Sequence, residues 1–477
     1  MSIQMAIFLL YFAIVLGIGY LGMVYTHSES DYLIAGGNLG WALGGATIAA
    51  TQMSSGLFIG TIGMMYSVGW SFGWVVLVFP IAYWIMVGVI APRFTRVKKL
   101  SLSDFIATRY YSETARGISA ILILISFIVY IQAQIVAGGL IGNIVFGVPK
   151  VTGMIVFTVI LLIYTVTGGM LAVVYTDFLQ MMVMLLGAIV AVPVALQRIG
   201  GMAAMFDYVQ AANPVALTWK GMPPSLLFTL GLAFFLGAVA RPEQLVRFYA
   251  MKDMKTIRWG IAFVMVLVGL AHFFVFFLSV ASRVLFPALP AGDLAMPMLA
   301  QTMLPPFIGT VLLAAVASAM MSTVDSLLLV AGGALSHDIY GSIINRKATE
   351  QQKIWVSRIG VIVVGILPVA LILSGVGGGD VVQLIVALFS ALMGAGFAMP
   401  VVLGVLWKRA TREAAIASMI GGIGTTFVWK LFGNTKLVDP VVPGFLVAAV
   451  LMVAVSLLTP PPPEAALTPF FGSSGSK

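Results

Sequence analysis

A chain of 477 residues that is 61% hydrophobic and 9% charged is not a soluble protein, because soluble chains carry about 25% charged residues. It reads as a polytopic membrane protein. The formal charge of +9 sits in short loops between apolar runs, where it is a topology signal rather than a nucleic-acid surface. The absence of cysteine excludes disulfides and thiolate metal sites. Three scattered histidines, His27, His272 and His337, argue against a multi-histidine metal centre.

Apolar stretches of about 18 or more residues begin near Ile3, Trp41, Phe72, Gly117, Val151, Val174, Ser225, Trp259, Phe307, Trp355, Val381, Ala414 and Val441. They predict thirteen transmembrane helices. The first run lacks a basic leader and a cleavage site, so it reads as a retained helix. The boundary between the Val151 and Val174 helices falls at Gly168-Gly169 and is the least defined. With the N-terminus outside and the C-terminus in the cytoplasm, 19 of the 25 Lys and Arg residues fall on the inside, as the positive-inside rule asks. Miscounting one span would invert that orientation.

In chain order, the first informative stretch is the centre of the second span. Thr51, Gln52, Ser54, Ser55 and Gly56 sit together there and make a poor continuous helix. Unwinding would free carbonyls near the midplane, which are tolerated only when buried in protein or lining a cavity. The alternative is a small-residue surface for close helix packing. Leu100 to Arg116 is amphipathic enough for a short interfacial helix. Tyr130 and Gln134 on the fourth span are four apart and share a face. Asp177 reads either as a helix cap at a membrane interface or as a functional carboxylate. Arg241, just before Pro242 at the end of the seventh span, reads either as a cytoplasmic anchor or as a bidentate clamp for a solute carboxylate. The segment from Pro287 to Pro306 is expected to be the longest irregular outer loop.

The ninth span carries the strongest signal. Within Ala314 to Tyr340, the residues Ala319, Ser322, Thr323 and Ser326 fall in an arc of roughly 100° on one helix face, with Asp325 about 60° further round. An ionisable residue inside a membrane helix is a functional hypothesis by default. Carbonyls from a break in the second span and hydroxyls from the ninth together suit a sodium ion. The bland alternatives are polar glue between helices and an Asp325 paired with a nearby donor. Past Pro460 the chain is proline-rich and then Gly/Ser-rich, which predicts a disordered tail.

Four stretches resemble the sodium:solute symporter family, which includes proline, pantothenate and sodium/glucose symporters. They are DYLIAGGNLG (Asp31 to Gly40), SLSDFIATRY (Ser101 to Tyr110), TGGMLAVVYTDFLQ (Thr167 to Gln180) and RPEQLVRFYAMKD (Arg241 to Asp253). They occur in the family's order, and the likeness covers almost the whole chain. The fold it implies is an all-α membrane protein with an inverted five-helix repeat of the leucine-transporter type. Residues 1–28 would hold the first helix, 41–200 repeat one (spans two to six), 223–407 repeat two (spans seven to eleven), 413–459 the last two spans and 460–477 the tail.

The resemblance also implies roles. Sodium would be bound by the carbonyls of Ala50, Met53 and Ala319 and the hydroxyls of Ser322 and Thr323. Asp177, Asp325 and Ser326 would form a second ion site or the release path, with Asp325 standing where relatives carry serine. Gln52, Ser55, Gly56, Tyr130, Gln134 and Arg241 are the candidate solute contacts, with Phe389 and Ser390 weaker ones. Gln52 replaces the Asp or Asn of relatives, and Arg241 replaces an uncharged residue. The expected activity is sodium-coupled symport, by alternating access, of a small organic solute bearing a carboxylate: a monocarboxylate, pantothenate or an amino acid. The alternative is a proton-coupled carrier of the same fold using Asp325 or Asp177. No catalytic constellation is present and no enzyme activity is expected. The setting is the plasma membrane bilayer, with no nucleic acid and no obligate protein partner implied.

Overall fold

The computed structural model describes residues 3–376 and 382–472, so the expected start of the eleventh span at Val381 lies outside the described residues. Among the described residues the structure is helical, with a single isolated bridge between Leu39 and Met251. The first span is α1 (Ile3–Tyr25). A short α2 (Glu29–Ile34) follows, opened by Ser28, whose hydroxyl accepts from Asp31 N while Asp31 accepts from Ser28 N. This reciprocal arrangement satisfies two otherwise orphaned amides.

The second span is broken. Helix α3 (Trp41–Gln52) stops at Met53, and after Ser54 and Ser55 the chain resumes as a wide π-helical turn and then α4 (Ile62–Val68), the two parts bent by 46°. The third span is α5 (Trp74–Ile85), which runs through a second wide turn into α6 (Ala91–Phe94). After it come α7 (Leu102–Tyr110) and the fourth span, α8 (Glu113–Phe146). Helix α9 (Lys150–Ile199) has 50 residues, which at 1.5 Å each would be about 75 Å long, far more than a hydrocarbon core of about 30 Å. Gly169 resolves this. Its φ of +56° breaks the helix into the fifth and sixth spans, and a Cβ there would lie 2.7 Å from the Tyr32 ring. Only glycine fits both demands.

Helix α10 (Met202–Ala212) leads to the seventh span, which is broken like the second: α11 (Pro224–Ala240) and α12 (Pro242–Ala250) are separated by an extended Arg241. The eighth span is α13 (Met254–Leu285). The outer segment beyond it is mostly helical, with α14 (Ala295–Met298) and a wide turn to Met303, where an irregular loop was expected. Proline at 305 and 306 then starts α15 (Pro306–Gly333), the ninth span. The remaining spans are α16 (Glu350–Leu373), α17 (Val382–Leu406), α18 (Arg412–Phe432) and α19 (Val441–Leu458), followed by α20 (Glu464–Phe471).

Eleven of the described helices are long and apolar enough to cross a membrane, and the broken second span makes a twelfth. Counting α9 as two gives the thirteen expected from the hydropathy pattern. Spans two to six and seven to eleven each open with a discontinuous helix, the pattern of the inverted-repeat transporter fold. Helix α15 is the centre of the molecule. It packs on α9, α8, α16, α3 and α1, and nearly every residue from Gly309 to Gly333 is buried.

Two expectations are corrected. Helix α7 does not float on the membrane surface, because Leu102, Asp104, Phe105, Ile106, Arg109 and Tyr110 are all buried. Arg109 donates to the carbonyls of Trp407 at 2.8 Å and Ala410 at 3.4 Å, which seals the end of α17. The segment after Pro460 is not all disordered, since α20 docks with Phe470 fully buried against Phe105. Composition hid this, because two phenylalanines suffice to anchor a two-turn helix to a preformed apolar seat. Residues 473–477 lie outside the described residues.

Candidate functional site

The break in the second span determines which carbonyls are free. In an unbroken helix the amides of Ser55, Gly56 and Leu57 would bind the carbonyls of Thr51, Gln52 and Met53. Instead Ser55 N donates to Gln134 Oε1 at 3.2 Å, Gly56 N to Ser54 Oγ at 3.1 Å and Leu57 N to Ser54 O at 2.9 Å. The end of α3 therefore presents carbonyls with no helical partner, fully buried at Ala50 and Met53, which need another one.

Helix α15 supplies it. Ser322 Oγ reaches Ala50 O at 3.1 Å and Ala319 O at 3.3 Å, while Thr323 Oγ1 reaches Thr51 O at 3.2 Å and Ala319 O at 3.0 Å. Ala50, Ala319, Ser322 and Thr323 are thus brought together across the α3–α15 contact, and Met53 is the residue that ends α3. The arrangement is oxygen-rich, neutral and closed to solvent, and suits a hard monovalent cation better than a transition metal. Thr51, not singled out for this role, contributes a fourth carbonyl.

One turn further along α15 a second polar cluster begins. Asp177 is not a helix cap at an interface. It sits inside the sixth span, accepts from Thr47 Oγ1 and pairs with Arg247 Nη2 at 3.3 Å. Arg247 also donates to Thr47 Oγ1 at 2.8 Å, to Thr51 Oγ1 at 2.9 Å and to Ser326 Oγ. Its guanidinium therefore stands between Asp177 and Ser326. Asp325 faces the other way and is held by Tyr164 Oη at 2.8 Å and Ser326 Oγ at 3.3 Å. Its side-chain hydrogen-bond partners are thus a phenol and a hydroxyl. Tyr11 lies close by, accepting from Ser318 Oγ at 3.0 Å.

The break in the seventh span places Arg241 at the centre of the protein, 2% exposed, rather than at the membrane edge. Its Nη1 donates to Gln52 Oε1 at 3.2 Å and its Nη2 to Ser390 Oγ at 3.0 Å. The guanidinium lies over the rings of Tyr130 and Phe389, which stack with centroids 4.2 Å apart and planes 9° from parallel. Gly237 allows this approach of α11 to α17, since a Cβ there would be 2.6 Å from Ser390 O. A small cavity of about 30 Å³ adjoins Arg241, lined by Gln52, Gly56 and Tyr130 together with Ser54, Thr61, His272, Gln383 and apolar side chains such as Phe79, Phe234 and Val386. Four of the six candidate solute contacts line it. Ser55 and Gln134 bond to each other beside it instead. Above it, sharing Thr61, Phe79 and His272, is an apolar cavity of about 380 Å³ walled by Trp70, Trp219, Phe273 and Phe276.

The face that carries α7 is tied shut by charges. Arg116 Nη1 binds Asp104 Oδ1 at 2.7 Å and approaches Asp338 Oδ1 at 3.5 Å. His337 lies between Glu29 at 3.2 Å and Asp104 at 3.4 Å, and Lys353 binds Glu29 at 2.9 Å. Burial opposes the charge of Asp104, yet His337 and Arg116 outweigh it and hold the carboxyl well below the usual range. Glu29 is likewise opposed by burial and held low by His337 and Lys353. This cluster joins α2, α7, α8, the end of the ninth span and α16.

Sequence reading missed Thr47, Tyr164 and the full role of Arg247. It also underweighted Phe389 and Ser390. A polar residue two turns from a predicted helix break, as with Thr47, was the available signal. Nothing local distinguished Tyr164 or Phe389 from ordinary packing aromatics.

Known proteins resemble this chain along most of its length. Residues 32–422 match the family model described as the sodium:solute symporter family. The osmoregulated proline transporter OpuE of Bacillus subtilis is 30% identical over 98% of this chain and 97% of its own length. A sodium/proline symporter of Salmonella typhimurium is 29% identical over 94% of this chain and 91% of its own. Among solved structures, a Na+-coupled sialic acid symporter in a substrate-bound outward-open state superposes with a TM-score of 0.83 at 20% identity, covering 97% of this chain and 99% of that one. At that identity the likeness concerns the fold.

Proposed function

The chain belongs to the sodium:solute symporter family, a family of transporters with sodium as coupling ion, and on that premise we propose that it carries a proline-type amino acid together with sodium. The observation that carries this reading is the pairing of two helix breaks. One frees carbonyls opposite the hydroxyls of α15, and the other sets Arg241 beside the cavity next to it. Sodium would be held by the carbonyls of Ala50, Met53 and Ala319 and the hydroxyls of Ser322 and Thr323. The solute carboxylate would take the Arg241 guanidinium from Gln52 and Ser390, as a bidentate charge-assisted pair. The solute's apolar part would lie against Phe79, Phe234 and Val386, with Tyr130 and Gly56 completing the wall.

Proline is favoured over a monocarboxylate or pantothenate because the curated relatives at 28–30% identity over nearly the whole chain include several proline transporters.

The mechanism follows from linkage. Sodium between α3 and α15 replaces direct hydroxyl–carbonyl bonds and fixes the broken second span, whose Gln52 and Gly56 also face the solute, so each ligand strengthens binding of the other. Repeats 41–200 and 223–407 would then rock against each other, breaking the Asp104–Arg116–His337 cluster and opening the cytoplasmic side. Sodium would leave past Ser326 and Asp177. In this conformation Arg247 occupies the space between those two residues, which argues against a second resident ion there. Orientation with the N-terminus outside is part of the same proposal.

The test is uptake of radiolabelled proline by purified protein in proteoliposomes. An inward sodium gradient should drive saturable uptake that choline does not support. Saturable uptake of equal size in choline would refute sodium coupling.

A further inference from the structure

One histidine lies where the solute is expected, and the proposed contacts for sodium and carboxylate make no use of it. His272, on α13, lines both the small cavity next to Arg241 and the larger apolar one that adjoins it. Its Nδ1 lies 2.7 Å from Val268 O, one turn back on the same helix. A carbonyl only accepts, so Nδ1 holds the proton and the neutral ring offers Nε2 as an acceptor. A second proton would put an unpaired cation near Arg241, and no carboxylate lines either cavity to offset it. Among the described residues no protein donor reaches Nε2. Gln383, on α17, lines the same small cavity. It is 3% exposed, and its Oε1 meets no donor. Gly60 makes room for that oxygen, since a Cβ there would lie 2.4 Å from it. Other side-chain acceptors of the lining are engaged. Gln52 Oε1 takes Arg241 and Gln244, Ser54 Oγ takes Gly56 N, and Thr61 Oγ1 is turned to Gly56 O. Tyr130 lies under the Arg241 guanidinium, at the carboxylate end.

We propose that His272 Nε2 and Gln383 Oε1 accept the two N–H bonds of the solute's secondary ammonium while Arg241 takes its carboxylate. The cavity then has a guanidinium at one end and two uncharged acceptors at the other, a match for a cyclic amino acid. A solute with the same ring and carboxylate but no N–H leaves both acceptors without a partner. A buried acceptor without a donor is costly, and a site built to bond an N–H rejects the analogue that lacks it more strongly than an apolar pocket rejects a change of size. Arg241 would orient either solute. His272 and Gln383 decide between them. This rests on the proline-type reading above and names the residues that meet the solute's other charge.

The experiment compares L-proline with cyclopentanecarboxylate, which has a methylene in place of the ammonium. Competition of each against labelled proline bound to purified protein in saturating sodium gives the preference ratio, and sodium-dependent thermal stabilisation by each solute gives it independently. The native protein should prefer proline by on the order of a hundredfold or more. His272→Phe keeps a ring and removes the acceptor, and should lower the ratio roughly 10- to 150-fold, the scale of one hydrogen bond to a charged group. The loss should fall on proline, with cyclopentanecarboxylate binding little changed. His272→Gln, whose amide oxygen can reach the place of Nε2, should recover part of the ratio. Gln383→Leu should lower it in the same way, and reads the proposal separately if the histidine variant does not fold.

A folded His272→Phe or Gln383→Leu protein that keeps the native ratio overturns the proposal while leaving proline binding standing. So does a native protein that binds both solutes equally, whatever becomes of the variants. A native protein that binds neither solute in sodium would remove the proline reading itself and the proposal with it.

Discussion

Replacing Thr323 by valine removes one hydroxyl and keeps the shape of the side chain. In the structure that hydroxyl lies 3.0 Å from Ala319 O and 3.2 Å from Thr51 O, wholly buried. Two effects separate. Without ion, Thr51 O loses a donor, which costs about 1–3 kcal/mol of stability. With ion, one of five proposed oxygen ligands is lost, and a contact of that kind to a charged group contributes about 1.5–3 kcal/mol, or roughly a 10- to 150-fold weaker sodium affinity. The assay is sodium titration of proline binding to purified protein, with thermal stability measured alongside in choline. The half-saturating sodium concentration should rise by that factor, while binding at saturating sodium is retained. An unchanged sodium dependence in a folded Thr323→Val protein would refute the placement of the ion between α3 and α15.

Other perturbations test separate parts. Arg241→Gln should weaken proline binding at saturating sodium by on the order of a hundredfold or more, through loss of a buried bidentate pair, and equal binding would exclude Arg241 as the carboxylate contact. Arg247→Gln strands Asp177 and should cost about 3–5 kcal/mol in chemical denaturation, whereas Arg247→Gln with Asp177→Asn should recover part of that loss; additive losses would show that the pair is not coupled. Asp104 and Glu29 are held below their ordinary pKa in the folded protein, so the stability they contribute is complete above about pH 4–4.5 and is lost as the pH falls further. Thermal stability should drop more steeply below that pH in the native protein than in Asp104→Asn. Identical acid profiles would contradict the charge cluster as described.

Much of this fold is written in periodicity, because a membrane span must be long, apolar and self-satisfied. The breaks at Ser54-Ser55 and at Arg241-Pro242, and the hydroxyl face of α15, were visible for the same reason. Each departs from what an uninterrupted span requires. Partnership was harder to read. Arg241 and Arg247 lie near the cytoplasmic end of their hydrophobic segment and count as positive-inside residues in sequence, yet both are buried among polar side chains from distant helices. The choice for Asp325 between an arginine and a phenol depends on which helix turns toward it, which one strand of sequence does not state. Short α20 escaped because its two phenylalanines follow a proline run and carry no helical period of their own.

Coupling itself is tested most directly by equilibrium binding of labelled proline to purified detergent-solubilised protein, at matched ionic strength in sodium and in choline. Sodium bound across the second and ninth spans should give saturable proline binding whose affinity rises with sodium and is nearly absent in choline. Proline binding of equal affinity in both salts would contradict it.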